Sequence, residues 1–573
     1  MKNKICIIVF IVAILVVSIL KQVLVNDMPI AANVALGIDD ALMISMTKSI
    51  TENNWIGQYG DAVISKGVTF PLILAFCYFT KIDYITMMTI LYTIACLCLI
   101  AVLSKKIKNK IALFLIYVIT LFTPVMYSYQ VMQRVYRNAL IPSFAIMIIS
   151  GYLYLFFSRN DEKISKRIIV SILTGIILAL FWYTREDSIW MIPFIVFMSI
   201  SAIIGVIAKD KKITKNLFKN LLLFVIPIAL VFGYKSIISY QNYKHFGVYT
   251  VYNNEAYNKA MKSLKKVKKY DYYDNIDFTT TKLQRVAEVA TSLSQIHPRL
   301  IELIYGYSLI DSGPLDGEVV NGWFPWALKG TLSEFGYYND AKNTNDFFNT
   351  LHLEIENGLA NGTLEKEDVK PDMVNNINKV FEAAKKTFEA LYKYDDIFFK
   401  AQTDNYEIGF DSKYKDFAKF TNNKFIIYED DEFISGRYFE SVDNYENEIK
   451  SRVEIINNLM KYYKNINSVT LVTGIILYVI YSFVTLIQLF KKKFYNLEMW
   501  IAVSGILGAM LSLALGIAYE TAFNANVITA MYLSATYPLM LIFGTVMVMI
   551  SINKIIEIVK NKKVKKLEKS TEN

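Results

Sequence analysis

The stretch YITMMTILYTIACLCLIAVL, residues 84–103, contains no charged side chain and is followed at once by the basic loop SKKIKNK, residues 104–110. An α-helix needs roughly 20 consecutive apolar residues to cross a bilayer. Lysines and arginines concentrate in the loops on the cytoplasmic side of such helices. Because apolar segments and basic loops alternate in this way along much of the chain, the pattern decides the fold class.

The composition of the whole chain is typical of a membrane protein. Of its 573 residues, 54% are hydrophobic, the formal net charge is +10 and the mean hydropathy is +0.32. The basic residues form short clusters between apolar segments. This distribution indicates that they orient the helices in the membrane, and it predicts no nucleic-acid partner. All four cysteines lie in apolar segments, and the three histidines show no zinc-binding spacing. Neither disulfides in the polar region nor a zinc site is therefore expected.

Ten segments are predicted to span the bilayer if the N-terminal segment 5–20 is an uncleaved anchor. The others are 84–103, 111–128, 139–157, 168–184, 189–208, 217–238, 468–490, 499–519 and 527–552. This count places both termini and five basic groups on the cytoplasmic side. The apolar segment 68–79 is too short to span, and Pro71 near its start favours an interfacial or re-entrant helix.

The predicted fold is an all-α polytopic membrane protein with about ten transmembrane helices and a mainly helical extracytoplasmic domain before the last three. The domain limits are 1–239 with an extracytoplasmic first loop at 26–83, then 240–466, 467–553 and a basic cytoplasmic tail at 554–573. Within the extracytoplasmic domain, 371–395 and 440–463 are predicted to be helical, and 424–438 to hold a short hairpin.

The first loop contains two adjacent carboxylates, in the sequence Gly37-Ile38-Asp39-Asp40-Ala41-Leu42-Met43. Apolar residues recur every four positions from Ile38, which predicts an amphipathic helix at the membrane surface. Asp39 and Asp40 at its start are candidates for a general base or for binding a divalent cation, Mg or Mn. Alternatively they only cap the helix and favour its N-terminal turn.

Charged residues at other outer helix ends extend the candidate site. Arg134, Arg137 and Arg185 lie in short outer loops, where arginine is disfavoured, and a guanidinium binds phosphate oxygens bidentately. Alternatively Arg185 pairs with Glu186 or Asp187 and the other arginines extend to the interface. Glu186, Asp187 and Glu520 are expected to face a protein cavity, with pairing to arginines preferred over catalysis.

Two tryptophans of the outer domain, Trp323 and Trp326, have three open roles. They could stack on sugar rings, dock on the membrane or fill the domain core.

These motifs resemble the GT-C superfamily of membrane glycosyltransferases. Asp39-Asp40 takes the place of an acidic pair in the first outer loop, and the run from Lys66 to Leu72 is similar to a Lys-x-Pro-Leu-like stretch that follows it. Thr184-Arg185-Glu186-Asp187 looks like the Arg-Pro/Glu turn of relatives. Where some relatives have an Arg-Tyr pair in a late helix, this chain has Met531 before Tyr532. The similarity covers residues 1–240 and, more loosely, the last three helices.

The resemblance implies transfer of a sugar from a polyprenyl-phosphate-linked donor to an extracytoplasmic glycan or polymer. Asp39 or Asp40 is then the general base or metal ligand, and Arg134, Arg137 and Arg185 bind the donor phosphate. Lys66, Glu186, Asp187 and Glu520 support the site. The Lys, Ile, Asn and Tyr bias favours a bacterial source. The alternatives are a transporter or flippase of lipid-linked saccharides and a non-catalytic receptor or assembly protein.

Overall fold

The computed structural model describes most of the chain in atomic detail. The described residues are 2–26, 28, 30, 38–160, 163–271, 273, 276–310, 317–367, 373–393, 413–423, 442–524 and 526–571. In these ranges the regular elements are helices, and an isolated antiparallel β-bridge joins Val267 to Lys366. The predicted hairpin at 424–438 lies outside the described residues.

The helices follow one another through both halves of the chain. They are α1 (Lys2–Val25), α2 (Ile38–Thr51), α3 (Thr69–Thr80), α4 (Tyr84–Leu103), α5 (Lys110–Leu121), α6 (Ile141–Phe157), α7 (Ile164–Trp182), α8 (Ile192–Asp210), α9 (Lys215–Phe246), α10 (Glu255–Lys266), α11 (Thr280–Ala287), α12 (Thr291–Ile310), α13 (Phe324–Glu334), α14 (Ala341–Ala360), α15 (Met373–Lys393), α16 (Lys413–Thr421), α17 (Val442–Phe490), α18 (Leu497–Phe523) and α19 (Thr536–Thr571).

Nine helical segments of the described chain are long and apolar enough to cross a membrane. They include α1, α4, α7, α9, α17, α18 and the first part of α19, together with α6 and α8 and the short turns that precede them. The all-α polytopic fold predicted from the sequence is confirmed.

The predicted span 111–128 forms a shorter helix than expected. α5 has 12 residues, roughly 18 Å, and is followed by a 3₁₀ turn at Pro124–Met126 and a π-helical turn at Tyr129–Gln133. Pro124 ends the α-helical run because it lacks an N–H donor, and Thr123 before it is extended. Pro124–Met126 is buried, as non-helical backbone in an apolar region must be. The Lys21 ammonium donates to the carbonyl of Met126 at 3.3 Å.

The basic loops meet at one end of the helix bundle. Lys106 and Arg159, from two different loops, both form ion pairs with Glu498. At the same end Asn109 donates to Asn553 at 2.7 Å. Loops that lie on the same side of the membrane are expected to meet at one end of the bundle, as these basic loops do.

The part of the chain from α10 to the start of α17, called the outer region after its predicted location, consists of two differently packed parts. Helices α10 to α14 enclose a hydrophobic core of their own, with Leu283, Ile296, Phe348 and Ile355 among its buried members. α15 instead packs on α18, where Ala383 meets Ala518 and Ala522. α17 is a single helix of 49 residues that begins in the outer region and continues through the predicted domain limit at 466/467 into a span.

Candidate active site

Helix α2 brings the two candidate carboxylates to the outer end of the bundle, where they enter different environments. Asp39 and Asp40 both lie in its first turn. Met43, Ile44 and Met46 on the same helix are buried against the bundle and fix its orientation. The Asp40 carboxyl is fully buried, whereas the Asp39 side chain is 31% exposed. The two residues therefore have different access to a substrate.

Asp40 is held by Arg134 in a bidentate ion pair. Nη2 of Arg134 donates to Oδ1 of Asp40 at 2.7 Å, and Nε donates to Oδ2 at 2.9 Å. Tyr84 fixes the backbone of Arg134 by donating to its carbonyl at 2.8 Å. Burial raises the pKa of Asp40 to about 6, although Arg134 opposes that shift. Asp40 is therefore mainly ionised at neutral pH and protonated under mildly acidic conditions.

Asp39 accepts from two groups that lie on separate segments. The Lys66 ammonium is 2.9 Å from Oδ1, and the Tyr136 hydroxyl donates to Oδ2 at 2.9 Å. Burial favours a raised pKa for Asp39, but Lys66 and Tyr136 outweigh burial, so the pKa is below its usual value. Asp39 is consequently an ionised, partly accessible carboxylate with a fixed orientation.

The second and third predicted arginines also pair with carboxylates. Nη1 of Arg137 is 2.7 Å from Glu186, and its Nε donates to the Tyr136 hydroxyl at 3.1 Å. Arg185 pairs with Asp187, with Nε to Oδ1 at 2.8 Å. Arg137 and Arg185 are mostly buried, at 6% and 8% exposed. The arginine–carboxylate pairing considered from the sequence is the arrangement found.

Asn138 joins the pairs into one polar network. Its side-chain oxygen accepts from Arg185 at 2.8 Å, and its amide donates to the carbonyl of Met531 at 3.0 Å. The sulfur of Met531 in turn accepts from Nη1 of Arg134 at 3.1 Å. The Arg185 guanidinium also lies over the Tyr532 ring at 4.9 Å. Met531 thus contacts the network through both its sulfur and its carbonyl oxygen.

Lys66 reaches Asp39 because its neighbour is a glycine. A Cβ atom on Gly67 would lie 1.9 Å from the carbonyl oxygen of Tyr183. Only a residue without a side chain permits this approach of the first loop to the end of α7. The close approach sets the position of the Lys66 side chain, which is only 12% exposed.

The outer region contributes an aromatic ring and a further cation above Lys66. The Lys66 ammonium is 5.6 Å from the ring centroid of Trp326, and the Lys329 ammonium is 5.4 Å from the same ring. Burial and the nearby charge of Lys66 lower the pKa of Lys329. Trp326 therefore lies at the candidate site, whereas Trp323 stacks on Tyr307 with centroids 5.4 Å apart.

Two predicted features do not join the cluster as expected. Glu520 is exposed, and its carboxylate accepts from the side chain of Asn524 at 2.9 Å rather than from an arginine of the site. Both oxygens of Asp40 are occupied by Arg134, and those of Asp39 by Lys66 and Tyr136. The described residues contain no group of three or more acidic, His or Cys side chains placed to hold a metal ion. Among the described residues, the two aspartates therefore contact cations and a phenol rather than further carboxylates.

Sequence reasoning missed Tyr136 and Lys329. The only signal for Tyr136 is its position between Arg134 and Arg137, and a tyrosine there also suits an interface residue. Lys329 lies in a helix more than 250 residues after Lys66 in the chain, and only tertiary packing brings the two side chains together.

The fold and the site together define a class: a multi-pass, all-α membrane protein with a paired-charge site at the bundle end opposite its basic loops. Crystal structures of ArnT from Cupriavidus metallidurans are similar to the chain over most of its length. The apo structure is 9% identical, with 91% of this chain and 78% of that chain covered and a TM-score of 0.31. The structure bound to undecaprenyl phosphate is 10% identical, with 90% and 77% covered and a TM-score of 0.30.

No protein-family model and no curated protein matches the sequence.

Proposed function

We propose that the chain transfers a sugar from a polyprenyl-phosphate-linked donor to a hydroxyl group of an extracytoplasmic glycan or polymer. The observation that carries this proposal is the contrast between the two aspartates. Asp40 is buried and locked to Arg134, whereas Asp39 is partly exposed, ionised and oriented by Lys66 and Tyr136. A fixed, accessible carboxylate beside cations suits proton abstraction next to a departing phosphate.

In the proposed step Asp39 is the general base. It takes the proton of the acceptor hydroxyl while that oxygen bonds to the anomeric carbon of the donor sugar. The bond from the anomeric carbon to the phosphate oxygen breaks, and the configuration at that carbon inverts. Polyprenyl phosphate leaves with the bonding electrons, and the cations of Lys66 and Arg134 stabilise its charge.

The other charged residues are proposed to position this centre. Arg137 contacts the Tyr136 hydroxyl and so acts on Asp39 through that phenol. Arg185 and Asp187 hold the turn after α7, and Asn138 connects Arg185 to the network. Lys66 already balances the charge of Asp39, and no step of the proposed transfer passes through a divalent cation.

Lipid-phosphate binding by the purified protein tests the proposal without knowledge of the acceptor. Native mass spectrometry with added undecaprenyl phosphate should show a retained lipid on the wild type and a loss of at least about fivefold with Lys66→Gln, because a charge-assisted contact is removed. Lys48→Gln is the matched control: it removes an exposed lysine of α2 that pairs with Asp416. Equal retention by the two variants, or no retention by the wild type, would refute the proposal.

A further inference from the structure

The outer region contains a cleft that is separate from the charged site. It has a volume of about 630 Å³ and lies between α12, α14 and the turn that follows α13. Its lining combines aromatic rings with amide, hydroxyl and carboxylate groups, and the lining residues are Thr291, Ser292, Gln295, Phe335, Gly336, Tyr337, Asn343, Asp346, Phe347, Thr350 and Glu354. A cleft of this size accommodates a small organic ligand or a short oligomer.

The aromatic part of the cleft is built on a tight turn. Gly336 has a φ of +77°, a conformation that favours glycine, and this turn places Phe335 and Tyr337 at the same cleft. Phe335 is 49% exposed although it is a large apolar side chain. Tyr337 is fixed by packing on Phe347, with centroids 4.7 Å apart, and by donating to Gln295 at 3.2 Å. An exposed ring beside a rigid one offers an apolar face to a ligand at small entropic cost.

The polar part of the cleft is acidic. Glu354 is oriented by Ser292, whose backbone N–H donates to its carboxylate at 3.1 Å. Asp346 is exposed and has no ion-pair partner among the described residues. None of the lining residues is Lys or Arg. The cleft therefore favours a neutral or amine-bearing ligand and repels an anionic one.

A pyranose ring presents C–H groups, which stack on aromatic rings, and hydroxyl groups, which donate to carboxylate and amide oxygens. The cleft contains both kinds of partner. We infer that this cleft binds a neutral or amino-sugar segment of a glycan. Tyr59 of the first loop donates to Oγ1 of Thr344 at 3.1 Å, and Thr344 donates to the carbonyl of Tyr337 at 2.7 Å. The cleft is thus joined to the loop that carries Lys66. That the cleft binds the acceptor of the reaction rests on the proposed transfer, whereas glycan binding by the cleft does not.

The test measures binding of four tetrasaccharides to the full-length protein in detergent: cellotetraose, chitotetraose, its deacetylated tetra-amine and tetragalacturonate. The neutral and amine probes should bind, and tetragalacturonate should bind at least about tenfold more weakly because of the carboxylates. Phe335→Ala should weaken the neutral probes about two- to tenfold, as loss of a stacking ring does. Tyr305→Ala, an exposed aromatic of α12 outside the cleft, is the control and should change nothing.

Two further variants separate this inference from the proposed transfer. Asp346→Asn should weaken the amine probe more than cellotetraose, and Asp39→Asn should leave all binding unchanged. Binding of tetragalacturonate as tight as that of cellotetraose, equal effects of Phe335→Ala and Tyr305→Ala, or no binding of any probe would overturn the inference. Intact binding by a protein without transferase activity would refute only the proposed transfer.

Discussion

Removal of Arg134 should destabilise the protein in a pH-dependent manner. Asp40 is fully buried and Arg134, whose side chain is 26% exposed, is its ion-pair partner. Breaking a buried pair typically costs about 3–5 kcal/mol, since one charge is left uncompensated. Because Arg134 is partly exposed, we expect the lower end, about 3 kcal/mol, for Arg134→Gln at pH 7.5. A loss of that size should lower Tm by about 3 °C in a chain of this length.

The sign of the pH effect follows from Asp40. Its folded pKa of about 6 lies above the unfolded value of about 3.9. Stability from this group is therefore complete below the unfolded pKa and lost as the pH rises through the folded pKa. Without Arg134 the folded pKa rises further, so the Tm deficit of Arg134→Gln should be much smaller at pH 5 than at pH 7.5.

The assay is thermal unfolding of the detergent-solubilised variants, followed by intrinsic fluorescence at both pH values. Asp40→Asn combined with Arg134→Gln should recover most of the Tm lost at pH 7.5, because the buried charge is gone. A deficit that is equal at the two pH values, or a double variant no more stable than Arg134→Gln, would contradict the reasoning.

Three other outcomes follow from the contacts of the site. Tyr136→Phe removes the hydroxyl that donates to Asp39 and should lower kcat about tenfold with little change in Tm, measured as sugar transfer and as thermal unfolding. Gly67→Ala should reduce both activity and Tm, because its Cβ meets a backbone carbonyl, whereas Gly60→Ala, with open space around it, should be neutral in the same two assays. The transfer rate should fall below a pH of about 6, where Asp40 becomes protonated. Asp39 has a lowered pKa and stays ionised at that pH, so its titration does not explain the fall. A transfer rate that does not change between pH 5 and pH 8 would contradict this assignment.

The membrane fold could be predicted from the sequence because bilayer length and loop charge act locally. Spans such as 84–103 are apolar over their whole length, so no tertiary contact is needed to recognise them. The division of segment 111–128 was not predicted. The segment is mainly apolar and has no charged residue, and the break at Pro124 is tolerated because the turn that follows it is buried.

The candidate site divides in the same way. Arg185 and Asp187 lie two positions apart, and their pairing is one of the alternatives that the sequence indicates. The partners of Asp40 and Asp39 could not be assigned, because Arg134 and Lys66 reach them across 94 and 27 positions of the chain. Glu520 was grouped with the site on its position near an outer helix end, yet it is exposed to solvent. Depth along a helix is readable from sequence, but the direction of a side chain around the bundle depends on packing.

The most direct test of the central claim is transfer of a radiolabelled sugar from polyprenyl-phosphate donors by the protein reconstituted in liposomes with glycan acceptors. The wild type and Glu520→Gln should release polyprenyl phosphate and label the acceptor at similar rates. Asp39→Asn should lose at least about 100-fold in rate, as removal of a general base does, while retaining its Tm. Full activity of Asp39→Asn would contradict the assignment of Asp39 as the base, and no transfer by the wild type from any donor would contradict the proposed function.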